Sequence, residues 1–338
     1  MLIQDDIFGE APKVIERGNA GPTLLPQVTA IVGSLSGGID GFAALIHGLN
    51  AVKAAGIDIT TIPVVLWHAC LSKMDWVDEA HDYTDEVLGR QHTALGLGVR
   101  SSWQTVYHLS GGETKTGFPS AEMQQLHCVR DGDVYYGPME SDDPAVMPDL
   151  LSLADVYRKG NPPTSGMRYC TKFMKTAGFQ WWLRRNKSML GPLPLVIRGE
   201  RKAESYQREA RLEEWGWALG TKQWDAAVWL PCIDWKFHQS AQLVYDTGGV
   251  AAIHPCYFWQ SSLNEEDTLA AMLDPNHDER GRPRCSCVVC IFSNLKHIMI
   301  AQSKVPYIVD PHLDRARGFE TKWGKTWKQN QAMPLALN

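Results

Sequence analysis

Long apolar runs are missing from this chain of 338 residues. No stretch of about 18 consecutive apolar residues occurs, which excludes a membrane-spanning helix of ordinary length. The chain begins with the residues MLIQDD, which are acidic where a secretory signal would carry basic residues. We therefore expect a cytoplasmic protein that has no membrane partner.

An excess of positive charge is missing as well. The 33 Lys and Arg residues are outnumbered by 38 Asp and Glu residues, and the net charge of −5 argues against polyanion binding over the whole surface. A disulfide framework is not expected, because the eight cysteines lie in a chain without a secretory signal. The cysteines instead predict metal ligation, redox chemistry or burial, and burial is the expectation for Cys70, Cys128 and Cys232.

A glycine loop between an apolar strand and a helix is the most informative feature that is present. It lies in residues 31–40, whose sequence is IVGSLSGGID. Gly37 and Gly38 allow a tight turn, and the helix predicted over 40–55 would present unpaired N–H groups and the positive end of its dipole. Such a loop can bind phosphate without side-chain charge. The alternative is an ordinary strand–helix turn, since the segment matches neither the Walker loop nor the three-glycine dinucleotide pattern.

Apolar strands alternate with helices along much of the chain. We predict strands over 28–33, 62–67, 102–107 and 193–197, and helices over 40–55 and 75–95. This alternation predicts an α/β fold with a doubly wound parallel sheet. We expect an N-terminal extension (1–27), a nucleotide-binding α/β domain (28–250) with an insertion or lid (110–163), and a C-terminal extension with a cysteine cluster and a basic tail (251–338).

A second motif follows the apolar strand at 193–197, where the residues RGERKAESYQR occupy positions 198–208. Arg201 would lie just past the carboxyl end of the strand, where open parallel sheets bind ligands. Glu204, Ser205 and Arg208 would share one face of the next helix. The alternative is a solvent-exposed helix start that is held by salt bridges.

A third motif, RYCTKFMK at 168–175, opens a stretch with six basic residues and no acidic residue up to Lys187. Such a stretch would neutralise the charge of a bound triphosphate. The alternative is a basic helix face whose aromatic residues pack in the core. Basic residues recur with tryptophans over 315–328, and this segment and 168–187 together predict contact with nucleic acid. The alternative for 315–328 is a tail that packs through its tryptophans.

A fourth motif combines HPCY at 254–257 with RCSCVVC at 284–290. Cys285, Cys287 and Cys290 form a dense thiol cluster, which suits an iron–sulfur cluster or zinc. The alternative is that Cys287 and Cys290 only pack at the start of a helix.

These four motifs, in this order and over roughly residues 28–295, resemble the PP-loop ATP pyrophosphatases and the phosphoadenosine phosphosulfate (PAPS) reductase-like superfamily. Residues 36–40 resemble the Ser-Gly-Gly-x-Asp-Ser loop, although Gly41 stands where the family has the last serine. The second and third motifs are similar to Gly-x-Arg-x-x-Glu-Ser-x-x-Arg and Arg-x-Cys-Thr-x-x-x-Lys. The resemblance implies a Rossmann-like adenine nucleotide α hydrolase fold. The subgroup that the chain resembles is the DndC-like proteins of DNA-modification and phage-defence loci.

The resemblance also implies roles for individual residues. Catalytic roles fall to Asp40, Lys175 and Arg201. The residues implied in binding ATP with Mg²⁺ are Ser34, Ser36, Gly37, Gly38, Asp40, Gly41, Gly199, Arg201, Glu204, Ser205 and Arg208. Trp67, just past the second strand, is expected beside the adenine. The ligands of a 4Fe–4S cluster, with zinc as the alternative, would be Cys170, Cys287 and Cys290, with Cys285 or Cys256 as the fourth.

A cysteine near the C-terminus, which sulfonucleotide reductases use as the nucleophile, is missing, because no cysteine follows Cys290. We therefore do not expect sulfonucleotide reduction unless another thiol takes its place. The expected activity is cleavage of ATP to AMP and pyrophosphate to activate a substrate for sulfur transfer to nucleic acid. The alternative, which Gly41 favours, is a non-catalytic nucleotide-binding accessory protein with partner proteins from a phage-defence or CRISPR-linked operon. We expect a homo-oligomer.

Overall fold

The computed structural model describes residues 20–69, 76, 82–97, 99–108, 126–130, 133–136, 175–221, 224–277, 282–288, 290 and 293–323. Several sequence predictions lie outside these residues. They concern the N-terminal extension up to residue 19, Cys170 with the rest of the third motif before Lys175, most of the 110–163 insertion, and the tail beyond residue 323. Within the described residues, no helix is both long enough and apolar enough to cross a lipid bilayer.

A mostly parallel sheet of eight strands forms the centre of the described structure. The strands are β1 (Ala30–Leu35), β2 (Val64–Ala69), β3 (Ser101–His108), β4 (Leu126–Arg130), β5 (Asp133–Tyr136), β6 (Pro194–Arg198), β7 (Trp215–Trp217) and β8 (Ala227–Trp229). Their order across the sheet is β5-β4-β3-β2-β1-β6-β8-β7. The five strands from β3 to β8 in this order pair in parallel, and β4, β5 and β7 extend the two edges by antiparallel pairing. The predicted α/β class with a parallel sheet is therefore confirmed.

Helices cover both faces of the sheet because the central strands are apolar on both sides. Ile31 of β1 packs with Leu45 on one face, and Val32 packs with Trp182 on the other. The helices are α1 (Ile39–Ala54), α2 (Tyr83–Ala94), α3 (Ala177–Arg185), α4 (Lys187–Leu190), α5 (Tyr206–Glu209), α6 (Phe237–Gly248), α7 (Cys256–Trp259), α8 (Glu265–Leu273), α9 (Leu295–Lys304) and α10 (Pro306–Trp323).

The region after residue 250 packs directly onto α1 and α6. Its side chains Tyr257 and Ile298 share one buried core with Phe42 of α1 and Val244 of α6. The short 3-10 helix Val250–Ala252 spans the position at which the sequence predicts a domain boundary. The cysteine-containing extension therefore lies against the helix that follows the glycine loop.

The second motif folds differently from the single helix that the sequence predicts. A 3-10 helix (Lys202–Glu204) is followed by Ser205 in extended conformation, with φ of −168°, and then by α5. The Ser205 hydroxyl caps α5 by accepting the N–H of Arg208 at 3.3 Å. Because serine is a better helix cap than a helix interior residue, the chain starts a new helix here instead of continuing the first.

Candidate functional site

The glycine loop lies at the carboxyl ends of the two central strands. β1 leads into residues 36–38, and α1 begins at Ile39. The neighbouring strand β6 ends at Arg198, which is in register with Ser34. Strands β2 and β3 lie on one side of this pair and β8 lies on the other, so the strand order reverses between β1 and β6. Such a reversal opens the crevice in which ligands bind to open α/β sheets.

The backbone conformation favours glycine at position 37, and close neighbours leave little space for a side chain at positions 37 and 38. Gly37 has φ of 72°, in the left-handed region that favours glycine. A Cβ at Gly37 would lie 3.0 Å from Cδ2 of His254. A Cβ at Gly38 would lie 3.2 Å from the Cβ of Cys285 and 3.4 Å from the hydroxyl oxygen of Tyr257. The C-terminal region is therefore packed closely against the loop.

Two C-terminal side chains bond to the loop backbone. The Tyr257 hydroxyl accepts the N–H of Ile39, the first residue of α1, at 3.2 Å. The Cys285 thiol donates to the carbonyl oxygen of Ser36 at 3.2 Å. The first N–H groups of a helix are the donors that bind an anion, so the Tyr257 oxygen takes the place of an anion at one of them.

A side chain of α2 holds the loop from another direction. The Gln91 amide donates to the Gly37 carbonyl at 3.4 Å and to the Ala252 carbonyl at 2.9 Å. Gln91 is buried, and it thus joins the glycine loop to the start of the C-terminal region. The helix is fixed in place by Asp82, whose carboxylate caps its first turn.

Two predicted catalytic residues, Asp40 and Arg201, form an ion pair with each other. Nε of Arg201 lies 2.8 Å from Oδ1 of Asp40, and the two side chains are 5% and 22% exposed. Arg201 also donates to the Trp235 carbonyl at 3.2 Å. Burial raises the pKa of Asp40, and the Arg201 charge opposes that rise. In this arrangement Arg201 neutralises Asp40 rather than a ligand.

Gly199 is required where the second motif passes α1. A Cβ at this position would lie closer than 3.0 Å to backbone atoms of Asp40 and Gly41, a distance that real Cβ atoms do not reach. Beyond it, Glu204 accepts the N–H of Arg201 at 3.1 Å and forms an ion pair with Arg208. Glu204 therefore contacts both Arg201 and Arg208, and the charges of the second motif are used largely within the motif.

Two buried histidines that the sequence analysis does not include in the site flank the loop. His68, at the end of β2, contacts the Leu35 carbonyl through Nδ1 at 3.0 Å. Burial lowers the pKa of His68, and the Lys175 charge lowers it as well. Burial also lowers the pKa of His254 to about 3, and Nε2 of His254 lies 3.2 Å from the Thr84 hydroxyl. Both imidazoles are therefore neutral near pH 7.

Trp67 does not lie where an adenine could stack on it. Its side chain is 2% exposed and belongs to the core beneath α3. Its ring centroid lies 4.7 Å from that of Phe179 and 6.3 Å from that of Trp182. The expected adenine contact is therefore replaced by packing, because the alternation along β2 directs residue 67 to the α3 face and not to the strand end.

His254, Cys256 and Cys285 form a group that could hold a metal ion. Their ligand atoms all lie within 4.8 Å of one another. The imidazole nitrogens already have partners, since Nδ1 accepts the N–H of Cys256 at 3.1 Å and Nε2 contacts Thr84. A metal bound through His254 would have to replace one of these two interactions.

The four thiolates of a 4Fe–4S cluster are not assembled among the residues that the structure describes. The group above contains Cys256 and Cys285 but neither Cys287 nor Cys290. Cys287 is buried and Cys290 packs against the same core, and the helix that follows them, α9, begins at Leu295. Cys170 lies outside the described residues. The described side chains thus offer two thiols at one place, which does not fit a four-thiolate cluster.

The basic residues that follow the third motif lie on the surface, above buried aromatic side chains. Arg184 and Arg185 at the end of α3 and Lys187 at the start of α4 are exposed, while Trp182 of α3 is buried. Nζ of Lys187 lies 5.4 Å from the ring centroid of Trp224. This helix therefore presents a basic surface over an apolar core.

A scan against protein-family models and a search of the curated proteins each find no match to the chain.

Of the residues that contact the loop, His254 and Tyr257 could have been found from the sequence, because both belong to the fourth motif. His68, Thr84 and Gln91 belong to no motif and become visible only through their contacts.

Proposed function

We propose that the chain binds ATP at the glycine loop and cleaves it to AMP and pyrophosphate to activate a substrate. It would do so as a PP-loop, PAPS-reductase-like protein with a Rossmann-like adenine nucleotide α hydrolase fold. The observation that carries this proposal is the position of the loop. Gly37, Gly38 and the start of α1 lie where the strand order reverses, at the carboxyl ends of β1 and β6. Backbone N–H groups at such a point bind phosphate.

The proposed reaction transfers AMP to an oxygen atom of the acceptor. That oxygen attacks the α phosphorus, the bond from this phosphorus to the bridging oxygen breaks, and pyrophosphate leaves with the electron pair. The loop N–H groups would hold the phosphates, and Lys175 would neutralise part of their charge. Catalysis of this kind depends on positioning and on electrostatic stabilisation.

Asp40 is the residue that would meet a Mg²⁺ ion arriving with ATP. Carboxylate oxygen is a ligand that Mg²⁺ prefers, and 22% of the Asp40 side chain remains exposed beside its contact with Arg201. The ion would supply charge neutralisation between the phosphates. Arg201 would then hold the Asp40 carboxylate in place, which makes it a positioning residue in this proposal.

Sulfur transfer to nucleic acid is the use that we propose for the activated oxygen. The exposed Arg184 and Arg185 at the end of α3 and Lys187 at the start of α4 support a polyanionic acceptor. We further propose that the protein is a cytoplasmic homo-oligomer that acts with partner proteins from the same operon. No step of the reaction depends on a metal cluster.

A second candidate function is nucleotide binding without turnover. Gly41 removes the hydroxyl that the PP-loop family places at this position, and a Cβ here would lie 3.3 Å from Cδ2 of Leu35. Arg201 is already neutralised by Asp40, so it contributes little charge to a bound triphosphate. These two observations favour an accessory protein that senses or retains ATP.

The deciding experiment follows ATP labelled at the α or the γ phosphate with the full-length protein and Mg²⁺. Release of labelled AMP and pyrophosphate supports the enzyme, and bound but intact ATP supports the accessory protein. The variant Asp40→Asn should lower AMP release at least about tenfold if Asp40 orients Mg²⁺. Asp58→Asn is the matched control, because Asp58 lies in an exposed turn where its carboxylate accepts from Thr60. Full turnover by Asp40→Asn would refute the site, and failure to bind ATP at all would refute both functions.

A further inference from the structure

Two thiols, those of Cys256 and Cys285, lie close together beside the glycine loop. Their sulfur atoms lie within 4.8 Å of each other. Cys256 is fully buried at the start of α7, whereas Cys285 is partly exposed. Cys285 in turn donates to the Ser36 carbonyl at 3.2 Å. The pair therefore joins the C-terminal region to the loop through a bond that needs a reduced thiol.

The surroundings of the pair favour a disulfide over a metal site. His254, the third member of the group, accepts the N–H of Cys256 at Nδ1 and contacts the Thr84 hydroxyl through Nε2. Two thiols without a third ligand make a weak metal site, because structural zinc takes four protein ligands. They are sufficient for a disulfide, in which the two sulfur atoms approach to about 2.05 Å.

We propose that Cys256 and Cys285 form a reversible disulfide that loosens the glycine loop and weakens ATP binding. The pairing and its effect on the loop stand on the contacts above, and the effect on ATP rests on the proposed function. A small-molecule disulfide such as oxidised glutathione would serve as the oxidant.

The oxidation balances as two thiol–disulfide exchanges. The thiolate of Cys285 attacks one sulfur of oxidised glutathione and releases one glutathione thiolate, which leaves a mixed disulfide on Cys285. The thiol of Cys256, losing its proton to water, then attacks the Cys285 sulfur and releases the second glutathione. Cys285 reacts first because its side chain is partly exposed, whereas Cys256 is fully buried.

Oxidation acts on the loop through two contacts. The sulfur of Cys285 no longer carries a proton, so the Ser36 carbonyl loses its donor. Tyr257, whose hydroxyl accepts the Ile39 N–H, directly follows Cys256, so a shift of the Cys256 backbone toward Cys285 would displace it. A loop that loses both contacts is less well ordered, and ATP must then supply the ordering, which lowers its affinity.

The test uses the full-length protein, freed of metal with a chelator and equilibrated with mixtures of reduced and oxidised glutathione. Peptide mass mapping would detect a link between the peptides that contain Cys256 and Cys285, with a mass lower by two hydrogens. Hydrogen exchange would report on the Ile39 amide, and calorimetric titration would report the affinity for ATP. We expect the link, faster exchange at Ile39, and ATP binding weakened about tenfold.

Three variants separate the pair from other thiol chemistry. Cys256→Ser and Cys285→Ser should each abolish both the link and the response to oxidised glutathione, and either one suffices if the other fails to fold. Cys232→Ser should keep the response, because Cys232 is buried elsewhere and burial raises its thiol pKa to about 12.

The outcomes test the disulfide, its effect on the loop and its effect on ATP binding separately. No link, or a link that leaves Ile39 exchange unchanged, overturns the proposal. A link with faster exchange but with unchanged or tighter ATP binding overturns the effect on nucleotide affinity. If the reduced protein binds no ATP, the proposed function fails, whereas mass mapping and exchange still decide whether the disulfide acts on the loop.

Discussion

The variant Gly199→Ala tests whether the close approach of β6 to α1 builds the site. A single added Cβ would lie closer than 3.0 Å to backbone atoms of Asp40 and Gly41. No flexible side chain stands at this contact, so relief requires that the β6 end and the first turn of α1 move apart. Overpacking costs roughly 1–3 kcal/mol where side chains can adjust, and we expect about 3 kcal/mol here because backbone must move.

The measurement is urea unfolding followed by tryptophan fluorescence, combined with ATP titration of the folded variant. The free energy of unfolding should fall by about 3 kcal/mol, and ATP binding should weaken because the N–H groups of the first turn of α1 are displaced. Gly216→Ala is the matched control. Gly216 lies in β7, whereas Gly199 directly follows β6. Nothing stands within 4 Å of the Cβ position of Gly216, so the same change should stabilise by roughly 0.5 kcal/mol or leave stability unchanged.

The reasoning fails if Gly199→Ala is as stable as Gly216→Ala. Neither glycine has a positive φ, so the comparison contains no difference in left-handed backbone strain. Equal stability would mean that β6 and α1 lie farther apart in solution. The ion pair between Asp40 and Arg201 would then lose its structural support.

Two further predictions concern the C-terminal region. Tyr257→Phe should lower the free energy of unfolding by about 1 kcal/mol and speed hydrogen exchange of the Ile39 amide, because a buried N–H loses its acceptor. The control is Tyr245→Phe, since Tyr245 is partly exposed. Unchanged exchange at Ile39 in Tyr257→Phe would contradict the contact. The free energy of unfolding should fall by roughly 1.4 kcal/mol between pH 7.5 and 5.5 through His254 alone, since its imidazole binds a proton below about 6.5 in the unfolded chain whereas its pKa in the folded state is about 3. His254→Gln should reduce this loss, and the exposed His277→Gln should not.

The sheet and its central helix were predictable because their patterns are strong. The apolar strand at 28–33 and the helix at 40–55 correspond to β1 (Ala30–Leu35) and α1 (Ile39–Ala54), each within two residues. Two glycines between a buried strand and an amphipathic helix leave few other local structures. The helix predicted at 75–95 is found only over Tyr83–Ala94 among the described residues, where Asp82 supplies the cap.

The partners of the loop were not predictable, because they depend on contacts between distant parts of the chain. Tyr257 lies 218 residues after Ile39, and Gln91 lies 54 residues after Gly37. Cys285 lies still further along the chain from its partner in the loop. Its motif predicted a metal ligand, because the spacing of thiols indicates their possible chemistry but not which side chains lie next to them. Only the packing of the C-terminal region onto α1 brings these groups to the loop.

The pairing of Asp40 with Arg201 changes how the proposed site must handle charge. The sequence analysis assigns Arg201 to the phosphates, but an ion pair at 2.8 Å has no net charge, and the Arg201 side chain is only 5% exposed. Neutralisation of a triphosphate then depends on the start of α1, on Lys175 and on Mg²⁺. Salt should weaken such binding less than it weakens a site lined by free arginines, because backbone N–H groups carry no mobile counterions. A steep loss of ATP affinity with salt would instead mean that Arg201 leaves Asp40 when ATP binds.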